Sequence, residues 1–223
     1  MKKDLAPEPA KVRLPRGRPR SFDREAALDA AMKVFWAKGF EAASLSDLTK
    51  AMGINPPSLY ATFGDKEKLF LEAIERYRGN RGEACPYADE PTARGAIERL
   101  LTNLACEFTD SCQPRGCMIV MAATTSSGTS AGFQAALARQ RDEGKAHLRA
   151  RIQQGIKEGD VAPDADAGAL ANFYMAIMAG MSLQARDGAS RKTLLGMVET
   201  AMRAWPESPA GRQPKKARLA AIA

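Results

Sequence analysis

Apolar residues in this chain recur every three or four positions and nowhere alternate singly over the length of a strand. That period predicts an all-α chain. The first helix spans 23–38: Asp23 supplies the N-cap oxygen, Leu28, Ala31 and Phe35 share one face, and Gly39 stops it. A second opens at Ser44, whose spacing to Asp47 is that of a capping box; it turns Leu45, Leu48 and Met52 inward and ends at Gly53. Only Ile54 and Asn55 separate it from a very short third helix, which begins at Pro56-Pro57 and reaches about Thr62. Prolines fit there because first-turn amides have no intrahelical acceptor to lose. Phe63-Gly64 breaks this helix, and a fourth runs from Asp65 to about Arg78.

Residues 79–91 hold glycine and proline without periodicity and read as a loop between two parts of the chain. Beyond it the pattern predicts helices near 92–111, 116–126, 131–158, 166–187 and 190–205. The breaks are Gln113-Pro114-Arg115-Gly116, Ser126-Ser127-Gly128, Val161-Ala162-Pro163 and Asp187-Gly188. No internal repeat is evident.

Short helix, glycine turn and short helix over 44–63 form a helix-turn-helix pattern, with Leu48, Met52, Ile54, Leu59 and Phe63 as the apolar underside beneath the first helix. The second helix of such a pair enters the major groove. Together, Leu28-Asp29-Ala30-Ala31, Phe35, Gly39-Phe40, Ser44 through Leu48, Met52-Gly53-Ile54, Ser58-Leu59-Tyr60 and Phe63 through Leu69 resemble the N-terminal domain of the TetR/AcrR family of bacterial transcriptional regulators. The likeness is continuous over about 21–72.

The resemblance implies a three-helix DNA-binding domain over 21–66 and an effector-binding and dimerisation domain over 67–205. A basic arm over 1–20 and a basic tail over 206–223 flank them. It implies that Tyr60 is the recognition-helix tyrosine that hydrogen-bonds a phosphate; an aromatic capping the turn from inside the core is the alternative. Lys66 takes the place of a phosphate-binding lysine beside a helix N-terminus, against an ordinary solvated lysine. Ser44 and Ser46 stand where hydroxyl and amide groups meet a phosphate, although Ser44 also suits a plain N-cap. Asn55, Pro56, Pro57, Ser58, Ala61 and Thr62 make up the groove-facing surface. Apolar contacts to thymine methyls and hydrogen bonds from Asn55 and Thr62 are its available chemistry. No Arg, Lys, Gln or Glu sits on that helix for a bidentate base contact, so direct readout should be modest.

Charge sharpens the picture at the ends. The net charge is +7, yet residues 1–20 hold seven Lys/Arg against two acids and 206–223 hold four against one, leaving 21–205 near neutral. Pro15-Arg16-Gly17-Arg18-Pro19-Arg20 resembles an AT-hook core, in which Arg16, Arg18 and Arg20 would lie in narrow A·T-rich minor groove. A basic tail giving only non-specific attraction is the other reading. No apolar run approaches the roughly 20 residues of a membrane span, and the N-terminus is no signal peptide, so a cytoplasmic protein is expected.

In the second half, Leu170, Phe173, Tyr174, Ile177, Met178 and Met181 lie at helical spacing, with Ala171, Met175 and Ala179 on a second apolar strip. A helix apolar on two sides must be covered on two sides. With Leu194, Val198, Ala201, Met202 and Trp205 of the last helix, Leu170, Ile177, Met178 and Met181 are expected in a four-helix homodimer interface; completing the monomer core is the alternative. Phe108, Met118, Met121, Phe133, Phe173 and Tyr174 are candidate lining of a pocket for a small effector of apolar character, or simply core.

The expected partners are thus double-stranded operator DNA, a small-molecule effector and a second copy of the chain, with no membrane and no cofactor. The favoured reading is a repressor released by its effector. Two others compete: a non-specific nucleic-acid binder working through both tails, and a thiol-based redox regulator using Cys106, Cys112 or Cys117. The four cysteines, with Cys85, lack paired metal spacing, and His147 is the only histidine. No metal site is expected. No nucleophile–base constellation points to an enzyme.

Overall fold

The structure, a computed structural model, describes residues 22–80, 90–124, 130–206 and Ser208. Within them the chain forms α1 (Arg24–Ala42), α2 (Leu45–Met52), α3 (Pro56–Phe63), α4 (Lys66–Asn80), α5 (Ala93–Phe108), α6 (Met118–Thr124), α7 (Ala131–Glu158), α8 (Ala167–Arg186) and α9 (Arg191–Met202). No strand occurs among the described residues, and no helix there is long and apolar enough to cross a membrane.

Caps set most of these boundaries. Asp23, Ser44, Asn55, Thr92, Ser130, Asp166 and Ser190 each accept backbone N–H groups of the first turn of the helix they precede. Several ends depart from the periodicity, among them that of α1, which runs past the expected stop at Gly39 to Ala42. Helix α5 stops at Phe108 because the Thr109 hydroxyl donates back to the Ala105 carbonyl (2.7 Å) and the Asp110 carboxylate accepts from the Cys112 amide (2.9 Å). Helix α4 carries on through Gly79 to Asn80, where a loop was expected.

Helix α1 joins the two halves of the chain, packing on α2 and α4 on one side and on α6 on another. It kinks at Gly39, whose φ of 80° and ψ of 174° suit glycine alone. A kink leaves the preceding carbonyls short of donors. Arg186 of α8 supplies them, donating to the Trp36 carbonyl (2.9 Å) and to that of Ala37. The Trp36 indole N–H in turn donates to the Gly116 carbonyl (2.9 Å) in a buried contact. Arg76 of α4 grips both carboxylate oxygens of Asp29 (2.7 and 2.9 Å) and one of Glu25 (2.8 Å), while Arg24 pairs with Glu72 (2.6 Å).

One core runs through both halves. Phe70 meets the nearly parallel rings of Phe35 and Phe40 edge-on, and Phe133 of α7 closes the group at 4.7 Å from Phe40 and 5.4 Å from Phe70. Farther on, Tyr174 is fully buried beside Trp205, its ring 5.6 Å away, and its hydroxyl donates to the Ala201 carbonyl (3.3 Å). Burial pushes that phenol up to about 12.

Helices α5 and α7 cross at Gly155, where an added Cβ would lie under 3.0 Å from the Asp160 carboxylate, the Ala93 methyl and a Val161 methyl. Gly155→Ala should therefore destabilise by about 1–3 kcal/mol through overpacking. Chemical unfolding checks this; an unchanged midpoint would mean that the crossing widens freely.

Candidate nucleic-acid interface

The sequence of α3 sorts its residues by depth. Leu59 and Phe63, four apart, are buried against the helices behind, and the prolines at the first two positions present their rings to solvent. Outward stand Pro56, Pro57, Tyr60 and Ala61, with Ser58 and Thr62 half-buried at the flanks. Tyr60 is 48% exposed, so it is not a core aromatic. Nothing in the described fold uses its hydroxyl as a structural bond.

The turn before α3 is fixed from both sides. Gly53 adopts the left-handed conformation (φ 65°, ψ 30°), and its N–H satisfies the carbonyls at the end of α2. Asn55 follows as the N-cap of α3, its side-chain oxygen accepting the Ser58 N–H at 2.9 Å. This differs from the expectation of a free base-reading amide: the Asn55 oxygen is committed to the cap, leaving only its NH₂ to face a ligand.

Helix α2 holds α3 in place through buried Leu48 and Met52, with Ile54 half-buried below the turn. Its start is a reciprocal capping box. The Asp47 N–H donates to the Ser44 hydroxyl oxygen (3.0 Å), and the Ser44 N–H and hydroxyl donate to Asp47 (3.1 and 2.7 Å). Lys38 adds an ion pair to Asp47 at 2.7 Å. Lys38 and then Ser44 hold the Asp47 carboxyl down from 3.8 to about 2. Because the folded value is depressed, this contribution to stability is complete above the ordinary aspartate range and is lost as pH falls through about 2. Ser44 is thus spent as a cap. Ser46 stays exposed, and Lys50 lies one turn beyond it on the same exposed face. Lys50 was not singled out from the sequence; its spacing of four from Ser46 is the signal that could have found it.

Lys66 opens α4 and folds back across the gap between α1 and α4. Its ammonium lies 4.6 Å from the centre of the Phe40 ring and donates to the Glu41 carbonyl at 3.4 Å. Partial burial lowers its pKa, against the Glu41 charge, which raises it. Next to it, the Asp65 carboxylate accepts the Lys68 N–H (2.8 Å), and that bond lowers the Asp65 pKa. Glu67 reaches away from the interface to accept both the N–H and the hydroxyl of Ser130 at the start of α7 (2.9 and 2.6 Å). The exposed surface from Ser44 to Lys68 is a short helix with one free aromatic phenol, framed by Ser46, Lys50, Lys66 and Lys68. That surface suits phosphates at its edges and apolar or single hydrogen-bond contacts to base edges at its centre.

Other residues named from the sequence fall elsewhere. Arg16, Arg18, Arg20 and Cys85 lie outside the described residues. Phe108, Met118, Phe133 and Tyr174 are fully buried, Met121 is half-buried, and Phe173 is 39% exposed. Met181, Leu194, Val198, Ala201, Met202 and Trp205 are buried within the single chain, whereas Leu170, Ile177 and Met178 are half-buried. Cys106 is half-buried, Cys112 exposed and Cys117 buried, all free thiols. No group of residues that could hold a metal occurs among those described. A cleft of about 480 Å³ lies between α1, α4 and the α5–α6 turn, lined by side chains that include Trp36, Tyr77 and Glu107. Sequence reasoning did not foresee it.

Comparison with known proteins agrees with this geometry. Residues 27–73 match the model of bacterial regulatory proteins, tetR family, and 96–203 match that of the tetracyclin repressor-like C-terminal domain. The HTH-type transcriptional repressor ComR of Escherichia coli (strain K12) is 38% identical over 199 residues, covering 88% of this chain and 95% of ComR. The repressor BdcR of the same organism is 40% identical over 109 residues, 47% of this chain and 54% of BdcR. Among solved structures, a cysteine mutant of the TetR family transcriptional regulator CifR, complexed with 26 bp of double-strand operator DNA, superposes with a TM-score of 0.81. It is 46% identical and covers 85% of this chain and 100% of its own. The chain belongs to the tetR family of bacterial regulatory proteins.

Proposed function

We propose that this protein is a cytoplasmic transcriptional repressor that binds operator DNA as a homodimer and is released by a small molecule of partly apolar character. The observation that carries the reading is Tyr60: a half-exposed phenol on a helix whose opposite face is closed by Leu59 and Phe63. Its exposure has no role in stabilising the fold. Membership of a family of regulators, a repressor as relative along nearly its whole length, and the superposition on an operator complex support it.

In this reading α3 lies in the major groove. Tyr60 donates to a phosphate at one edge, and the Lys66 ammonium leaves Phe40 to meet another. Pro56, Pro57, Ala61 and Thr62 touch base edges. The arm holding Arg16, Arg18 and Arg20 reaches the adjacent minor groove. Two recognition helices about 34–36 Å apart meet successive major grooves on one DNA face.

The dimer would use the outward strip of α8, where Phe173 and Leu183 are exposed large apolar side chains. Ala176 and Gly180 lie between them and allow a second helix to approach closely. Leu170, Ile177 and Met178 would flank this strip. The residues of α9 named above support it from within the protomer. The free cysteines give no observation that favours redox control over ligand control.

Tyr60→Phe should weaken operator binding by roughly tenfold or more, the worth of a charge-assisted hydrogen bond, with helix content unchanged. Gel-shift titration on DNA fragments selected by the protein checks this, and unaltered affinity would remove the assigned role. Lys66→Ala should weaken binding to all sequences and reduce the slope of log affinity against log salt by about 0.9; an unchanged slope would mean that Lys66 meets no phosphate. Phe173→Glu with Leu183→Glu should give monomers in sedimentation and lose operator binding. A persistent dimer would place the interface elsewhere.

A further inference from the structure

Hydrogen bonds close a ring through the end of α8, the residues leading into α6 and the part of α1 ahead of its kink. The Ser182 hydroxyl of α8 accepts the Cys117 N–H at 2.8 Å. The neighbouring Gly116 carbonyl accepts the Trp36 indole N–H, and the Trp36 carbonyl accepts Arg186, one turn beyond Ser182 (both 2.9 Å). A second nitrogen of the Arg186 guanidinium donates to the Ala37 carbonyl. The ring has no slack on the α8 side. Gly116 has a φ of 78°, and a Cβ there would lie 2.7 Å from the Ser182 carbonyl oxygen.

The two ends of the ring face different tasks. Leu183, in the same turn of α8 as Ser182 and Arg186, is 53% exposed and stands in the strip assigned above to the second copy. Trp36 and Ala37 lie just ahead of Gly39, where α1 bends, and a few residues later the chain enters the capping box at Ser44. Carbonyls ahead of such a bend lack the amide four residues on. A planar guanidinium reaches two of them at once with donors in a rigid fork, so it sets an angle as well as a distance.

We propose that Arg186 is a positioning residue for operator binding: by holding the Trp36 and Ala37 carbonyls it fixes the angle between the dimer helix and the DNA-binding half, and so the separation of the two recognition helices. The assignment rests on the dimeric operator binding argued above. Arg186 touches no DNA in this role and acts through α1. Its contribution therefore falls on engaging two half-sites together, not on the contacts of α3 with one. Linked binding elements gain from each other only as far as their geometry matches the spacing of their sites. Without the fork, the DNA-binding half swivels on α8. The matched spacing then loses part of its advantage, and mismatched spacings are penalised less.

The test compares full-length wild type and Arg186→Gln by gel-shift titration on a selected operator, on one half-site alone, and on operators with one or two base pairs inserted between the half-sites. Arg186 is half-buried in the last turn of α8, and glutamine keeps helix propensity there. Circular dichroism and sedimentation should show a folded dimer. The variant should bind the intact operator about tenfold more weakly, the worth of one or two hydrogen bonds. Its half-site affinity should be unchanged, and inserted base pairs should cost it less than they cost the wild type. Arg186→Lys, which keeps the charge without the fork, should fall between the two. Arg191→Gln removes another second-half arginine, bonded to Thr109 at 3.3 Å, and should match the wild type. A residue needed only for stability weakens operator and half-site alike and leaves the spacing profile as it was. Wild-type affinity and spacing profile in a folded Arg186→Gln dimer, an equal loss on the half-site, the same spacing change in Arg191→Gln, or loss of the folded dimer in both Arg186 variants would each overturn the assignment. A wild type that binds one half-site as tightly as the whole operator would instead sink the dimeric reading, and this inference with it.

Discussion

Helix α1 has to satisfy two bodies at once, and the structure depends on how it does so. One face carries Phe35 and Phe40 into the aromatic group shared with Phe70 and Phe133. Another carries Trp36, whose indole N–H and backbone carbonyl are both bonded to the second half of the chain. A buried indole N–H without an acceptor would carry a substantial desolvation cost, so the Gly116 carbonyl fixes where the second half must sit. The DNA-binding half is therefore no bead on a string. Its orientation is set by contacts with α6, α7 and α8, and a change in those contacts is a change in where α3 points.

That orientation matters because α3 can do little alone. Eight residues make barely two turns, too short to hold helical shape in water without tertiary packing. Its prolines, the Asn55 cap and the Gly53 turn pre-set the backbone, and Leu59 and Phe63 supply the attachment. What is left over points outward. A face so poor in bidentate base readers fits a regulator whose affinity comes mainly from phosphates and from pairing two weak half-sites. Dimer geometry then becomes the variable that an effector can exploit.

Local signals made the helices legible in the sequence. The period of three to four, Asp23 and Ser44 as caps, and glycines 53 and 64 as stops each act within a few residues, so one chain suffices to read them; Gly39, expected as a stop, is a kink inside α1. The recognition helix could be read for the same reason. What could not be read was the destination of side chains across long separations. Phe133 has the spacing and chemistry of a pocket residue, yet it closes an aromatic group built from α1 and α4. Met181, Val198 and Trp205 fit an interface and a core equally well by pattern, and the single chain buries them. Asn55 is expected from the sequence to bond base edges or phosphates, and only the folded turn shows that its oxygen is committed to the Ser58 amide. The cleft is made by residues from Asp29 to Gln113, brought together by the Trp36–Gly116 bond between positions 80 apart. No spacing rule reaches that far.

The most direct trial of the central claim is amide hydrogen exchange of the full chain, free and bound to a DNA fragment it has selected. Exchange should slow over 44–68, most strongly at the start of α2 and throughout α3, with little change in the α5–α7 crossing around Gly155. Unchanged exchange across α3 in a saturated complex would show that another surface meets the DNA.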